Sequence, residues 1–454
     1  MFEEGRRFFI SSYSLPAHWQ VDEIDMAVAK PLADVDEEVE TRISNPLNSL
    51  ALSDLCDAGD DIVILCDRAP TDQVRLAIVR GVLSHLDRAA IAPERVTLLI
   101  AAPDDASPAD KELLGSIHAA LHRLGDYAAR VAVVQHDPED LRELDDMGNF
   151  EGVPLTINYR AVEADVLIAI YAMQLDDDAD CAGSCAAVTL GIVGTHAKRE
   201  LHTTRFYDDQ IEPSADRHPL LRRVLREGAR RAGLAFAVGA LVDAHGRPLA
   251  VRAGAPISVD DALADQAAAL RESNVSRPSY DVVLADPSRN GHTAGSLFEA
   301  SLAAIRLSLG RAPILLRGSP LILPVEGCED GSSAARDFYN ALINTASPEL
   351  IIKQLQGRSL QAGEARAYLL AHAMQRNRLI IAGPQPERLA RDFPILSSSS
   401  IREAAELAGN FTGKRPRALI VRHALSTTPV FRGLFSTPDS PRAAEPAPPP
   451  WRWN

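Results

Sequence analysis

Short apolar, β-rich runs alternating with longer amphipathic ones constrain this 454-residue chain more than any other feature. DDIVILCDR (60–68) reads as a strand, and the helical DQVRLAIVRGVLSHL (72–86) follows it. RVTLLIAAP (95–103), the helix ADKELLGSIHAALHRLG (109–125) and the strand RVAVVQHD (130–137) repeat the pattern. After a polar loop, ADVLIAIYAMQ (164–174) supplies another strand. Such alternation implies a parallel, doubly wound sheet with ligands at the carboxyl ends of its strands.

The pattern breaks from about Ala179 to Leu270. HPLLRRVLREGARRAGL (218–234) reads as a helix, and AFAVGALVDAHGRPLAVRAG (235–254) as a β-hairpin turning at its His-Gly. Alternation then restarts, with YDVVLADP (280–287), APILLRG (312–318), ELIIKQL (349–355), RLIIAG (378–383) and RALIVRH (417–423) as strands. The expected fold is therefore α/β: two α/β domains with mostly parallel sheets facing a central cleft. The first is expected over residues 1–275 and the second over 276–425, followed by a disordered, proline-rich tail over 436–454.

Composition narrows the function classes. A formal net charge of -15 argues against sequence-independent nucleic-acid binding, which needs a basic face to displace phosphate counterions. No window of about 18 or more apolar residues appears, so no membrane span is expected. The start, MFEEGRRFFISSYSLPAHWQ, lacks the apolar core of a signal peptide, and the cytoplasm is the expected compartment. The five cysteines, Cys56, Cys66, Cys181, Cys185 and Cys328, read as reduced thiols rather than a disulfide framework. The partner expected is a small-molecule substrate or ligand; the oligomeric state is not legible.

Candidate chemistry gathers at strand ends. Asp67 and Arg68 end the first strand, where a ligand of a parallel sheet would meet them, or where Asp67 would cap the next helix. Asp104 and Asp105 end the second strand. Gln174, Asp176, Asp177, Asp178 and Asp180 follow the fourth; without the glycine and glutamate of a calcium loop they read as a solvated acidic loop. CAGSCAAVTLGIVGTHAKRELHTTR (181–205) holds two cysteines, His196, Lys198 and His202. Its spacing is poor for a zinc finger and does not match a phosphate loop, while His202 stays open as a soft-metal ligand. Further on, Arg289, Asn290, His292 and Thr293 sit on a loop before a helix that carries Glu299. Glu326, Cys328 and Glu329 mark a second such loop.

Taken in order, these landmarks resemble the nickel-dependent lactate racemase family over most of residues 1 to 425. The resemblance rests on SNPLNSLALSDL (44–55), VGALVDAHGRPLAVRAG, YDVVLADPSRNGHTAGSLFEASLAAIR and EGCEDG. It implies hydride transfer to a nickel pincer nucleotide tethered through a lysine, with histidines exchanging the hydroxyl proton of a 2-hydroxy acid. Carried across, it makes Asp67, Arg68, Asp104 and Asp176 the catalytic candidates. His202, Glu299 and Lys198 become the cofactor-binding candidates, with His202 as the nickel ligand.

The same correspondence shows departures. The family's Ser-Gly-Gly-x-Lys falls on Ala182 to Ala186, so Ala186 stands where the tethering lysine would be. His202, sixteen residues beyond, keeps its register, and Lys198 is a candidate displaced tether. The family's arginine three residues after the aspartate becomes Pro70, and its first glycine-histidine pair becomes Pro103-Asp104. The second proton-transfer histidine is likewise replaced, Glu299 stands for a glutamine and Leu302 for a lysine. Three outcomes follow, of which the first two are a divergent racemase or epimerase of a 2-hydroxy acid using a nickel pincer nucleotide, and a catalytically degenerate ligand-binding or regulatory homologue. An enzyme of another class, using strand-end carboxylates, is the third.

Overall fold

The computed structural model describes residues 13, 15–102, 111–175, 182–212, 219–288, 294–309, 314–327, 331–343, 345, 347–384 and 395–432. These form two compact units, and the chain crosses between them at Val28/Ala29, at Leu201/His202, between Glu212 and Pro219, and at Ala269/Leu270.

The unit containing Asp67 is built on a six-stranded sheet ordered Ala132–Gln135, Val96–Ile100, Ile62–Cys66, Val166–Gln174, Leu234–Val242, Pro248–Gly254. All neighbours are parallel except the last pair, the hairpin expected around His245-Gly246. Every residue of Ile62–Cys66 is buried, which demands helices on both faces of the sheet. Helix Gln73–Arg88 supplies one cover, packing Val74, Ile78, Val82 and Leu86 at helical spacing. Its N-cap is Asp72, whose side chain accepts from Arg75 N; capping is therefore not the work of Asp67.

The second unit carries the other six-stranded sheet, ordered Gln20–Ile24, Arg417–Val421, Val282–Ala285, Pro320–Pro324, Arg378–Ala382, Leu396–Ser398, parallel throughout. Both units are thus α/β with mostly parallel sheets. No helix among the described residues is long and apolar enough to cross a membrane.

Three expectations are corrected. ELIIKQL is helix Pro348–Leu355: Ser347 caps it, proline opens it, and Ile351 and Leu355 are buried four apart while Leu350 is exposed. The strand placed at 312–318 lies later, at Pro320–Pro324, fully buried; Leu315 makes only a bridge to Tyr280. The polar loop before residue 164 contains an antiparallel hairpin, Leu144–Phe150 with Val153–Asn158.

The segment at Leu47 is held against the hairpin end by Leu47 N to Ala253 O and Ala255 N to Leu47 O, both 2.8 Å. Gly254 sits between them at φ +135, and a Cβ there would lie 2.3 Å from the Leu47 carbonyl oxygen. Gly254→Ala is expected to lower stability by about 2 kcal/mol or more through strain and overpacking, read as a reduced denaturant midpoint.

Candidate functional site

The first sheet reverses its winding direction once. From Ile62–Cys66 the chain steps outward to Val96–Ile100 and Ala132–Gln135, then returns to the other side with Val166–Gln174. Side chains leaving the carboxyl ends of those two central strands border the crevice where doubly wound sheets hold ligands. A cavity of about 480 Å³ lies there, within the range of small-molecule sites. Asp67, Arg68, Arg75, Tyr171, Gln174 and Ala186 are among its lining residues.

Asp67 is not a free carboxylate. Arg75 Nε donates to its Oδ1 at 2.7 Å and Arg75 Nη2 to its Oδ2 at 2.6 Å, a bidentate pair with both side chains mostly buried. Arg75 Nη1 also donates to Asp72 Oδ2 at 2.8 Å, and the two carboxylates raise the guanidinium pKa against the effect of burial. One guanidinium thus joins the strand end to the first turn of the next helix. Arg68, by contrast, is exposed at the cavity. Sequence reading missed Arg75; its signal was the spacing of an arginine three residues after a helix-capping aspartate.

The opposite wall is set by a residue that no motif singled out. Asp260, on helix Pro256–Arg271, places its buried carboxylate at the start of helix Ser184–Thr189. It accepts from Ser184 N at 2.8 Å, Cys185 N at 3.2 Å, Ser184 Oγ at 2.9 Å and the Tyr171 hydroxyl at 2.8 Å. Burial raises the pKa of this carboxyl, and the four donors oppose that rise. Burial, then Asp260, keeps the Tyr171 and Cys185 side chains protonated. Gly183, at φ +122, is required because a Cβ would stand 2.8 Å from the Asp260 carboxyl carbon. The Gly183–Ala186 turn therefore exists to receive an internal carboxylate, and it presents the Ala186 methyl to the cavity.

Two basic groups close to this unit's strand ends are committed elsewhere. Lys198 is buried with its Nζ donating to the Ala102 carbonyl, and it does not line the cavity. His136 is buried, its Nε2 3.1 Å from the Val193 carbonyl and its Nδ1 3.1 Å from Asn158 Nδ2. Burial lowers its pKa to about 4.

The remaining candidates belong to the other unit or fall outside the described residues. His202 is half-buried, with Nδ1 3.5 Å from the Tyr207 hydroxyl and its carbonyl accepting from Leu360 N at 2.9 Å. Glu299 is exposed and completes a reciprocal cap: its Oε2 accepts from Gly295 N at 2.8 Å, and its own N–H donates to Ser296 Oγ at 3.2 Å. Asp104, Asp176, the loop residues Arg289 to Thr293, Cys328, Glu329 and the tail at 436–454 lie outside the described residues. Among the described residues, no three His, Cys, Asp or Glu side chains converge as a metal site.

Residues 10–212 match the family model described as the lactate racemase N-terminal domain. That stretch of the chain is therefore lactate racemase-like in sequence. The fold of the chain is similar to that of the lactate racemase apoprotein from Thermoanaerobacterium thermosaccharolyticum, with a TM-score of 0.70 at 18% identity, covering 92% of this chain and 97% of that one. It is also similar to a structural-genomics protein from Thermotoga maritima, with a TM-score of 0.55 at 11% identity, covering 89% of this chain and all of the other. No curated protein matches the chain. Against the family's pattern, the described residues do not fit a lysine-tethered nickel pincer nucleotide. Ala186, the position that the sequence resemblance aligns with the tether, offers only a methyl, and Lys198 spends its amine on a backbone carbonyl inside the protein.

Two outcomes test this geometry. Asp260→Ala should cost about 3 kcal/mol by stranding buried donors. It should also raise the rate at which Cys185 reacts with a disulfide reagent roughly tenfold or more, since the Asp260 charge no longer adds to burial in opposing its thiolate; the added Cys185→Ser change should remove that increase. His136 is neutral in the folded protein down to about pH 4, whereas an unfolded histidine takes a proton near pH 6.5. The stability its burial permits is complete above about pH 6.5 and falls as pH drops toward 4. His136→Asn should flatten that part of a stability-versus-pH curve by up to about 3 kcal/mol.

Proposed function

We propose that this protein is a lactate racemase homologue that binds a small polar ligand non-covalently in the cavity at the first sheet's reversal point, without a tethered cofactor. The observation that carries this reading is Ala186 in the cavity wall, on a turn locked by Asp260. An alanine methyl cannot form the covalent link that the family's lysine provides, and no described amine replaces it.

The charges support a ligand of modest net charge. Asp67, Arg75 and Asp72 form one hydrogen-bonded set that is net negative, and Arg68 adds a separate positive group at the edge. A carboxylate, if the ligand has one, pairs with Arg68; Arg75 is held by two aspartates and orients Asp67 instead of the ligand. Hydroxyl groups of the ligand have the Gln174 amide within the same wall.

A second reading is racemisation or epimerisation of a 2-hydroxy acid with an untethered nickel pincer nucleotide. It is favoured by the domain match over residues 10–212 and by His202, which keeps the family's spacing. One experiment separates the two. The chain is co-expressed with the enzymes that make the cofactor, then analysed by intact mass, nickel content and interconversion of D- and L-lactate. The first reading expects an unmodified mass, no stoichiometric nickel and no interconversion, with a thermal shift from a hydroxy acid or related ligand that Arg68→Ala weakens about tenfold. Stoichiometric nickel with racemisation overturns it in favour of the second.

A further inference from the structure

The second sheet reverses its winding too. Val282–Ala285 leads outward to Pro320–Pro324, Arg378–Ala382 and Leu396–Ser398, and the chain then returns to its other side with Arg417–Val421. The crevice beyond these carboxyl ends is the second place in this molecule where a doubly wound sheet offers a ligand position. The family correspondence gives no role to His423 or Asp25 there.

Those residues form an ordered polar cluster. His423, two positions past the Arg417–Val421 strand, has φ +45, in the left-handed region. Its backbone is pinned by a tight turn: Ser426 N and Thr427 N both donate to its carbonyl, at 2.8 and 2.9 Å, and Ala424 N donates to Asp286 O at 2.7 Å. A histidine held in that conformation at a strand end is a common mark of a functional position. Its Nδ1 donates to Asp25 Oδ1 at 2.7 Å, just past the neighbouring strand Gln20–Ile24, and Met26 N donates to the same oxygen at 2.7 Å. The two side chains remain 41% and 50% exposed, so the imidazole is fixed at one nitrogen while solvent reaches the group.

Arg422 reaches Glu23 at 2.6 Å and Asp286 at 3.6 Å, and its guanidinium lies 4.7 Å from the Tyr13 ring centroid. Asp286 is buried, and its Oδ1 accepts from Ser288 N at 3.0 Å. Among the described residues of this cluster, Asp25, Glu23 and Asp286 outnumber Arg422, a balance that favours a neutral or cationic ligand over an anionic one. The hydrogen bond to Asp25 raises the His423 pKa, burial opposes this, Asp286 adds to the rise and Arg422 works against it.

We propose that His423 and Asp25 form an acid–base dyad at the carboxyl ends of the neighbouring strands Arg417–Val421 and Gln20–Ile24, next to the reversal point of the second sheet, acting on a neutral or cationic small molecule through an ionisable hydroxyl. In the step, the ligand's O–H bond breaks as an N–H bond forms at His423 Nε2, and the Asp25 carboxylate balances the resulting imidazolium.

The test uses the full-length protein and two probes. Diethyl pyrocarbonate modification, mapped by peptide mass, should acylate His423 in the folded protein, with a pH midpoint above that of a free histidine that falls in Asp25→Asn. Hydrolysis of 4-nitrophenyl acetate, where the dyad takes a proton from the attacking water and releases acetate and 4-nitrophenolate, should drop about tenfold or more in His423→Asn and in Asp25→Asn. Asparagine is chosen because it tolerates the left-handed backbone. The carboxylate-bearing ester mono-4-nitrophenyl succinate should react several-fold more slowly than the acetate at the same site. An unmodified His423, or hydrolysis unchanged in His423→Asn, overturns the dyad; equal rates for the two esters overturn the ligand class.

Discussion

Parallel pairing of fully buried strands is the constraint on which the rest of this structure depends. Ile62–Cys66 is buried along its whole length, and so are Val282–Ala285 and Pro320–Pro324. Parallel neighbours cannot be joined by tight turns, so each pair needs a crossover, and the crossovers must cover both faces. A sheet extended in one direction must then be extended in the other from its starting strand. That reversal leaves a gap between crossovers at the carboxyl ends of two central strands. Each unit has one such gap, and each is furnished with charged side chains: Asp67 and Arg75 in the first, Asp286, Arg422 and His423 in the second.

How those charges are disposed separates orientation from reactivity. Asp67 has both oxygens held by one guanidinium and is itself an anchor for the following helix. Asp260 is an anchor of another kind, a buried carboxylate that satisfies the first backbone N–H groups of helix Ser184–Thr189 and takes a tyrosine hydroxyl as well. Both spend their charge on structure. The turn carrying Ala186 is thereby held in shape by contacts inside the protein, and what it presents to the cavity is a methyl group.

The alternation of strands and helices was legible because burial on both faces leaves continuous apolar runs, and because amphipathic helices repeat at their own period. Most strands lie where those runs predict. ELIIKQL misled because a short apolar run has no period long enough to distinguish a buried strand from one face of a helix; Ser347 and Pro348 were the deciding cap. The Leu144–Asn158 hairpin was hidden by its first arm, Leu144–Phe150, which is polar and half-exposed. Gln20–Ile24 was not legible at all, since its partner Arg417–Val421 stands nearly four hundred residues away and its own pattern is largely exposed.

For the site, the sequence by itself determined which chemical groups exist: an aspartate and arginine at a strand end, an alanine at position 186, a histidine at position 202. Those are covalent facts and need no fold. Only the tertiary structure decided their employment, because hydrogen-bond partners are chosen by distance in space. Arg75 captures Asp67 eight residues away, Asp260 reaches Ser184 from seventy-six, and Asp25 meets His423 from nearly four hundred. A short motif cannot contain the last two of these pairings, since each joins elements that are distant in the chain and meet only through the fold.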